Sequence, residues 1–185
     1  MAAGSSAALL AAAADGDAAA WRAIVAQYES LLWSVARSYR LGSAEAADVV
    51  QTTWLRLVEH LGHIRDADRL GAWLATTARH ESLRTIRLAG RAVPVEAATL
   101  DRIDDSAPPL DEQLLANERD AVLHRCLGQL SPGCQQLLRV LAASPPPSYQ
   151  EVSAALGLPV GSIGPTRGRC LGRLRALLEA AQHLR

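Results

Sequence analysis

The 185-residue chain contains no phenylalanine and no lysine, a single methionine and three cysteines. Every basic residue is therefore arginine, whose planar fork suits phosphates and carboxylates alike. Aromatic residues make up only 4% of the chain, so a core must be built mainly from alanine, leucine and valine, with a few tryptophans. Alanine and leucine are strong helix formers, which predicts an all-α fold. No apolar run approaches the length of a membrane span. The N-terminal stretch MAAGSSAALLAAAADGD has no charged leading segment and too little apolar weight for a secretory signal. It reads as a disordered tail, residues 1–14, on a cytoplasmic protein. Cys126, Cys134 and Cys170 lack metal-ligand spacing and fall on apolar helical faces, so they are expected as small core residues. No metal site or cofactor is expected.

Formal net charge is zero, which on its face argues against a nucleic-acid partner. The charges are unevenly placed, however. Residues 96–120 hold eight acids against two arginines, whereas residues 157–175 hold four arginines and no acid.

Apolar periodicity divides the chain. Asp17 is placed to cap a helix reaching about Tyr39, with Trp21, Ile24, Val25, Tyr28, Leu31, Leu32 and Val35 in one stripe. Gly42 ends that pattern and Ser43 is placed to cap a second helix to about Leu61. Its inward residues are Val50, Trp54, Leu57, Val58 and Leu61. Asp48, Gln51, Thr52, Leu55, Arg56 and Glu59 face outward. Asp68 is placed to cap a third helix, which begins near Leu70 and carries Trp73, Leu74, Ala78, Leu83 and Ile86. These three helices define a first domain, residues 15–92. Residues 93–113, rich in proline and acid, read as a flexible linker. A second domain follows at 114–183. Val122, Leu123, Cys126, Leu127 and Leu130 line its first helix, and Ser131-Pro132 starts the next. Ser148 and Glu151 form a capping box for a helix that ends at Gly157.

The stretch after Gly157 holds Gly161, Gly164, Gly168, Gly172 and Pro165, yet it keeps a helical pattern. With Ser162 as its cap, Pro165 falls in the first turn, where its missing N–H removes nothing. Ile163, Cys170, Leu174 and Leu177 make an apolar back; Arg169 and Arg173 lie off it, with Thr166 near them. A capped helix, a glycine turn and a helix with a polar front form a helix-turn-helix, whose second helix enters the major groove. Ser162, Thr166, Arg167, Arg169 and Arg173 are the candidate DNA contacts. An ordinary surface helix with solvated arginines is the alternative.

The third helix supplies a second basic stripe. His80, Arg84, Arg87 and Arg91 recur at steps of four, three and four. Like charges so placed repel one another, and a polyanion converts that repulsion into binding. Trp73 and His80 offer flat surfaces for an unstacked base. Glu81, Asp66 and Asp68 are the acids that would neutralise part of this face.

The segments DVVQTTWLRLVEHL and GAWLATTARHESLRTIR resemble conserved region 2 of sigma-70 family factors of the extracytoplasmic function (ECF) group. LGQLSPGCQQLLRVL and SYQEVSAALGLPVGSIGPTRGRCLGRLR resemble their region 4. The likeness covers most of residues 15–178. It implies two small helical domains and a non-enzymatic role: binding core RNA polymerase and directing promoter recognition, strand opening and initiation. Asp48, Gln51, Thr52 and Leu55 would then meet the clamp helices of the β′ subunit, with further contact to the β subunit. Trp73, His80, Arg84, Arg87 and Arg91 would meet the −10 element, and Ser162, Thr166, Arg167, Arg169 and Arg173 the −35 element. An anti-sigma protein is a further implied partner. Many relatives carry Asn and Asp in place of His80 and Arg84, and Lys-Ser-Arg in place of Gly164, Pro165 and Thr166, so the promoter sequence does not transfer.

Two other readings follow from the residues. A helix-turn-helix regulator working without polymerase would need neither the outward face at Asp48–Leu55 nor a second basic stripe. A metalloenzyme would have to use the pair His60 and His63, with Glu59 beside them, and that pair lacks a clear third ligand.

Overall fold

A computed structural model describes residues 3–64, 66–90 and 118–183, and all regular structure among them is helical. The first half contains α1 (Ala3–Ala14), α2 (Ala18–Ser38), α3 (Ser43–His60) and α4 (Leu70–Leu88), with short 3-10 turns at Leu61–His63 and Ala67–Arg69. The second half contains α5 (Glu118–Gly128), α6 (Pro132–Leu141), α7 (Tyr149–Leu156) and α8 (Val160–His183). The expected linker at 93–113 lies outside the described residues, as do Arg91 and the start of the second domain.

Local chemistry explains most boundaries. The Asp17 carboxylate accepts from the Ala19 N–H at 2.7 Å and opens α2. At α3 the cap is Gly42, one residue before the serine expected there, and the Glu45 carboxylate accepts from the Gly42 N–H at 3.1 Å. Ser148 and Glu151 close their box: the Ser148 N–H donates to Glu151 Oε2 at 2.6 Å, and the Glu151 N–H donates to Ser148 Oγ at 3.3 Å. Gly157 ends α7 with φ +70°, a left-handed conformation that glycine adopts without steric cost.

Residues 3–14 correct the expectation of a disordered tail. They form α1, with Leu10 and Ala13 buried three residues apart against α2 and the two 3-10 turns. The alanine-rich pattern concealed a narrow but real apolar stripe. Val58 corrects the inward face of α3: it is 54% exposed, and Ala46, Val49, Val50, Thr53 and Leu57 fill the interior instead. Leu123, also expected inward, is exposed.

The two halves share one apolar core. Leu32, Leu57 and Leu74 in the first half and Leu137, Val152 and Ile163 in the second are fully enclosed. Burying a side chain of this size contributes about 1.5–3 kcal/mol. The most extensive packing between any two elements joins α4 to α7, across the expected domain boundary. Two glycines permit it. A Cβ on Gly71 of α4 would fall on the Glu151 carboxylate and against the Tyr28 ring, and one on Gly157 would meet the Arg79 guanidinium.

The helix ends are tied across the same boundary. The Ala155 carbonyl lies in the last turn of α7 and has no intrahelical donor, because the chain turns left-handed at Gly157. The Tyr39 hydroxyl donates to that carbonyl instead, at 2.8 Å. In the reverse direction Arg139 Nη1 of α6 donates to the Arg37 carbonyl at 2.7 Å, at the end of α2. Burial, then Arg37 and Arg40, push the Arg139 guanidinium below its ordinary value.

Candidate nucleic-acid interface

α4 has two unlike faces. Leu74, Ala75, Ala78, Ser82 and Ile86 are buried. Trp73, His80, Arg84 and Arg87, at steps of seven, four and three, share the opposite face. His80, Arg84 and Arg87 are exposed and Trp73 is half-buried. The basic stripe on the third helix is therefore a surface row for the members that are described. Glu81, expected to neutralise part of it, is buried and bound to Arg56 of α3 at 2.7 Å and to Arg84 at 3.6 Å. It steadies Arg84 and removes part of its charge, while His80 and Arg87 stay open.

His60 is a neighbour that sequence reasoning missed. Its ring centroid lies 5.9 Å from that of Trp73, tilted by 42°. Nδ1 donates to the Arg56 carbonyl at 2.9 Å, which holds the ring in place. The chain returns from α3 to α4 within nine residues, which brings the last turn of one beside the first turn of the other. Among the described residues no group of His, Cys, Asp and Glu is placed to hold a metal ion.

α3 presents a second surface. Asp48, Gln51 and Leu55 lie at steps of three and four and are exposed, Leu55 by 57%. Thr52 is half-buried at the edge of this row, and Val58 extends it. Gln51, Leu55 and Val58 border a shallow groove of about 410 Å³ between α2 and α3, floored by Trp21, Trp33 and Trp54. Trp21 and Trp54 meet edge to face at 6.0 Å, and the Arg37 guanidinium covers Trp33 at 5.2 Å. Exposed leucine and valine beside tryptophans form an apolar patch of the kind that marks a protein-docking surface.

The glycine-rich stretch is a helix, and the turn before it is shorter than expected. α8 begins at Val160, so Ser162 lies inside its first turn and is not the cap. Its hydroxyl donates to the Pro159 carbonyl at 2.7 Å. Pro165 consequently sits within the helix, and the carbonyl it cannot serve belongs to exposed Gly161, where water can replace the lost donor. Ile163 and Cys170 are fully buried, and Leu174 and Leu177 are half-buried, so the expected apolar back is present.

Arg167, Arg169 and Arg173 are exposed. Thr166 corrects the list of contacts. It is 4% exposed, and its hydroxyl accepts from Arg169 Nη2 at 3.1 Å. Threonine here falls between Ile163 and Cys170 at helical spacing, on the inward side. The cysteines are buried as expected, but Cys134 of α6 and Cys170 of α8 form a disulfide, leaving Cys126 free.

The geometry is that of a helix-turn-helix beside a helical bundle with a tryptophan-floored groove. Residues 24–92 match the family Sigma-70 region 2. The RNA polymerase sigma factor CnrH of Cupriavidus metallidurans is 29% identical over 180 residues, covering 93% of each chain. The ECF RNA polymerase sigma factor SigL of Mycobacterium tuberculosis is 37% identical over 116 residues, 62% of each chain. The solved structure of CnrH in complex with the cytosolic domain of CnrY matches with a TM-score of 0.60 at 28% identity, covering 95% of this chain and 98% of that one. Sequence, helical order and architecture agree in what they resemble: the ECF RNA polymerase sigma factors of the sigma-70 family.

Proposed function

We propose that this factor joins core RNA polymerase through the α2–α3 surface and meets promoter DNA with α4 and α8. Asp48, Gln51 and Leu55, with Thr52 at their edge, form the docking row for the β′ clamp helices; exposed Val58 belongs with them. The groove beside this row gives apolar side chains of the polymerase a place to bury. The second half adds a contact to the β subunit.

The −10 element is assigned to α4 and its neighbour His60. An unstacked base would lie against Trp73, with His80, Arg84 and Arg87 along the phosphates. The −35 element is assigned to Ser162, Arg167, Arg169 and Arg173 of α8, with Thr166 aiming Arg169 rather than touching a base. No bond is made or broken; contacts to the opened strand offset the few kcal/mol, roughly, that unstacking a base costs.

The observation that carries this reading is that α4 and α8 each bury an apolar face and expose a row of arginines. A regulator that never met polymerase would leave the α2–α3 groove without an occupant. The groove also suits a protein inhibitor, an anti-sigma factor working in the cytoplasm, and the CnrH complex with CnrY supports that assignment.

Run-off transcription with core polymerase and genomic DNA fragments tests the proposal. Discrete transcripts that require both the factor and the core are expected. Sequence-specific DNA binding that is equally tight without core would overturn it.

A further inference from the structure

The disulfide between α6 and α8 has no part in the function described above. Cys134 and Cys170 are 36 residues apart in sequence, with Cα atoms 5.4 Å apart, inside the range that a disulfide spans without backbone movement. Both side chains are buried, at 8% and 1% exposure. A factor acting on RNA polymerase works where cellular thiols keep cysteines reduced, and disulfides in that setting are usually transient and redox-sensing.

We propose that Cys134 and Cys170 are a reversible oxidation site that sets how firmly α8 is held against α6. The link to DNA recognition rests on the sigma-factor reading; the effect on the helix does not.

Three observations support the site. First, α8 is intrinsically weak. Gly161, Gly164, Gly168, Gly172 and Pro165 all lie within it, and a helix of that composition depends on tertiary anchors. Second, Cys170 is one of those anchors. Ile163, Thr166 and Cys170 are its buried residues, and Cys170 is the last of them before the helix runs out with half-buried Leu174 and Leu177. It also lies between Arg169 and Arg173 along the chain, so a bond at Cys170 restrains both arginines. Third, Cys134 lies in the first turn of α6, after Ser131 and Pro132, and is the less enclosed of the two sulfur-bearing side chains, at 8% exposure against 1%. In the reduced protein it is the thiol placed to attack.

Hydrogen peroxide balances the chemistry. The Cys134 thiolate attacks one peroxide oxygen and the O–O bond breaks, giving a sulfenic acid and, with one proton, water. The Cys170 thiol then attacks the Cys134 sulfur, displacing a second water as the S–S bond forms. Two thiols are oxidised and one peroxide is reduced. A dithiol reductant reverses the step by exchange. Cys126, buried and free on α5, is an internal control.

The test compares the full chain after hydrogen peroxide with the same chain after dithiothreitol. Peroxide is expected to remove two of the three alkylatable thiols, with mass mapping showing Cys134 joined to Cys170. Amide exchange across α8 slows by about tenfold or more in the oxidised chain, and binding to a mixed-sequence DNA duplex tightens by about threefold or more. Cys134→Ser and Cys170→Ser abolish the response, Cys126→Ser keeps it, and the alanine variants replace any serine variant that fails to fold. Three thiols surviving peroxide, or a disulfide that leaves α8 exchange unchanged, would overturn the site. Slowed exchange with unchanged duplex binding would overturn its link to DNA. Failure of both redox forms to support transcription with core polymerase counts against the sigma-factor reading alone, because exchange and thiol content still decide the redox site.

Discussion

Tyr39 and Ala155 lie 116 residues apart, and the hydroxyl of one donates to the carbonyl of the other at 2.8 Å. The contact completes the end of α7, so a residue of the first half finishes a helix of the second. Tyr39→Phe leaves the Ala155 carbonyl buried without that donor. The expected loss is about 1–3 kcal/mol of stability, read as a lower urea midpoint. An unchanged midpoint would show that water replaces the phenol freely.

Gly71 is the position at which α4 comes nearest to α7. Gly71→Leu drives a side chain into Glu151 and Tyr28. Overpacking of this kind costs about 1–3 kcal/mol, and here the halves relieve it by parting. Small-angle scattering is expected to show a larger radius of gyration for the variant than for the parent chain.

Tyr28 gives the same boundary a pH dependence. Burial, then the Glu151 and Asp68 carboxylates, raise its phenol above the ordinary 10.0. The neutral phenol is the form the fold favours. Its contribution is therefore intact below pH 10.0 and is lost as pH rises through the higher folded value. Thermal midpoints measured on either side of that pH should fall more steeply for the parent than for Tyr28→Phe. Parallel curves would remove Tyr28 as the cause.

Arg169→Ala and Arg173→Ala should each weaken duplex binding and reduce the slope of log K against log salt by about 1. Thr166→Val, which keeps the shape of the buried side chain but cannot accept from Arg169, should disturb promoter selectivity more than the slope. A base-contact role for Thr166 itself would instead make selectivity insensitive to Arg169.

Gln51→Ala combined with Leu55→Ala should weaken holoenzyme assembly by about tenfold, ~1.4 kcal/mol, with the fold retained because both residues are exposed. Competition against the parent factor for limiting core polymerase measures this directly. Equal competition would move the docking row elsewhere.

Much of the architecture was legible because period and punctuation survive in sequence. The Ser148–Glu151 box, the Gly157 stop and the arginine row of α4 are local patterns, and local patterns are what hydrogen-bond geometry and helical pitch enforce. Thr166 shows where chemistry misled: its hydroxyl suggested a contact, although its spacing from Ile163 and Cys170 already placed it inward. Val58 failed for a different reason, since the core accepts only a narrow face of α3. The Tyr39–Ala155 bond, the seat of Gly71 and the pairing of two cysteines 36 residues apart depend on which surfaces meet in space. No short-range pattern encodes that.

The Glu151 carboxylate divides its labour. One oxygen holds the Ser148 N–H, and the other faces Gly71. Only the second contact belongs to the neighbouring half. Drawing the halves apart would wet that oxygen and leave the first bond in place, so the cap of α7 does not depend on the seam between the halves.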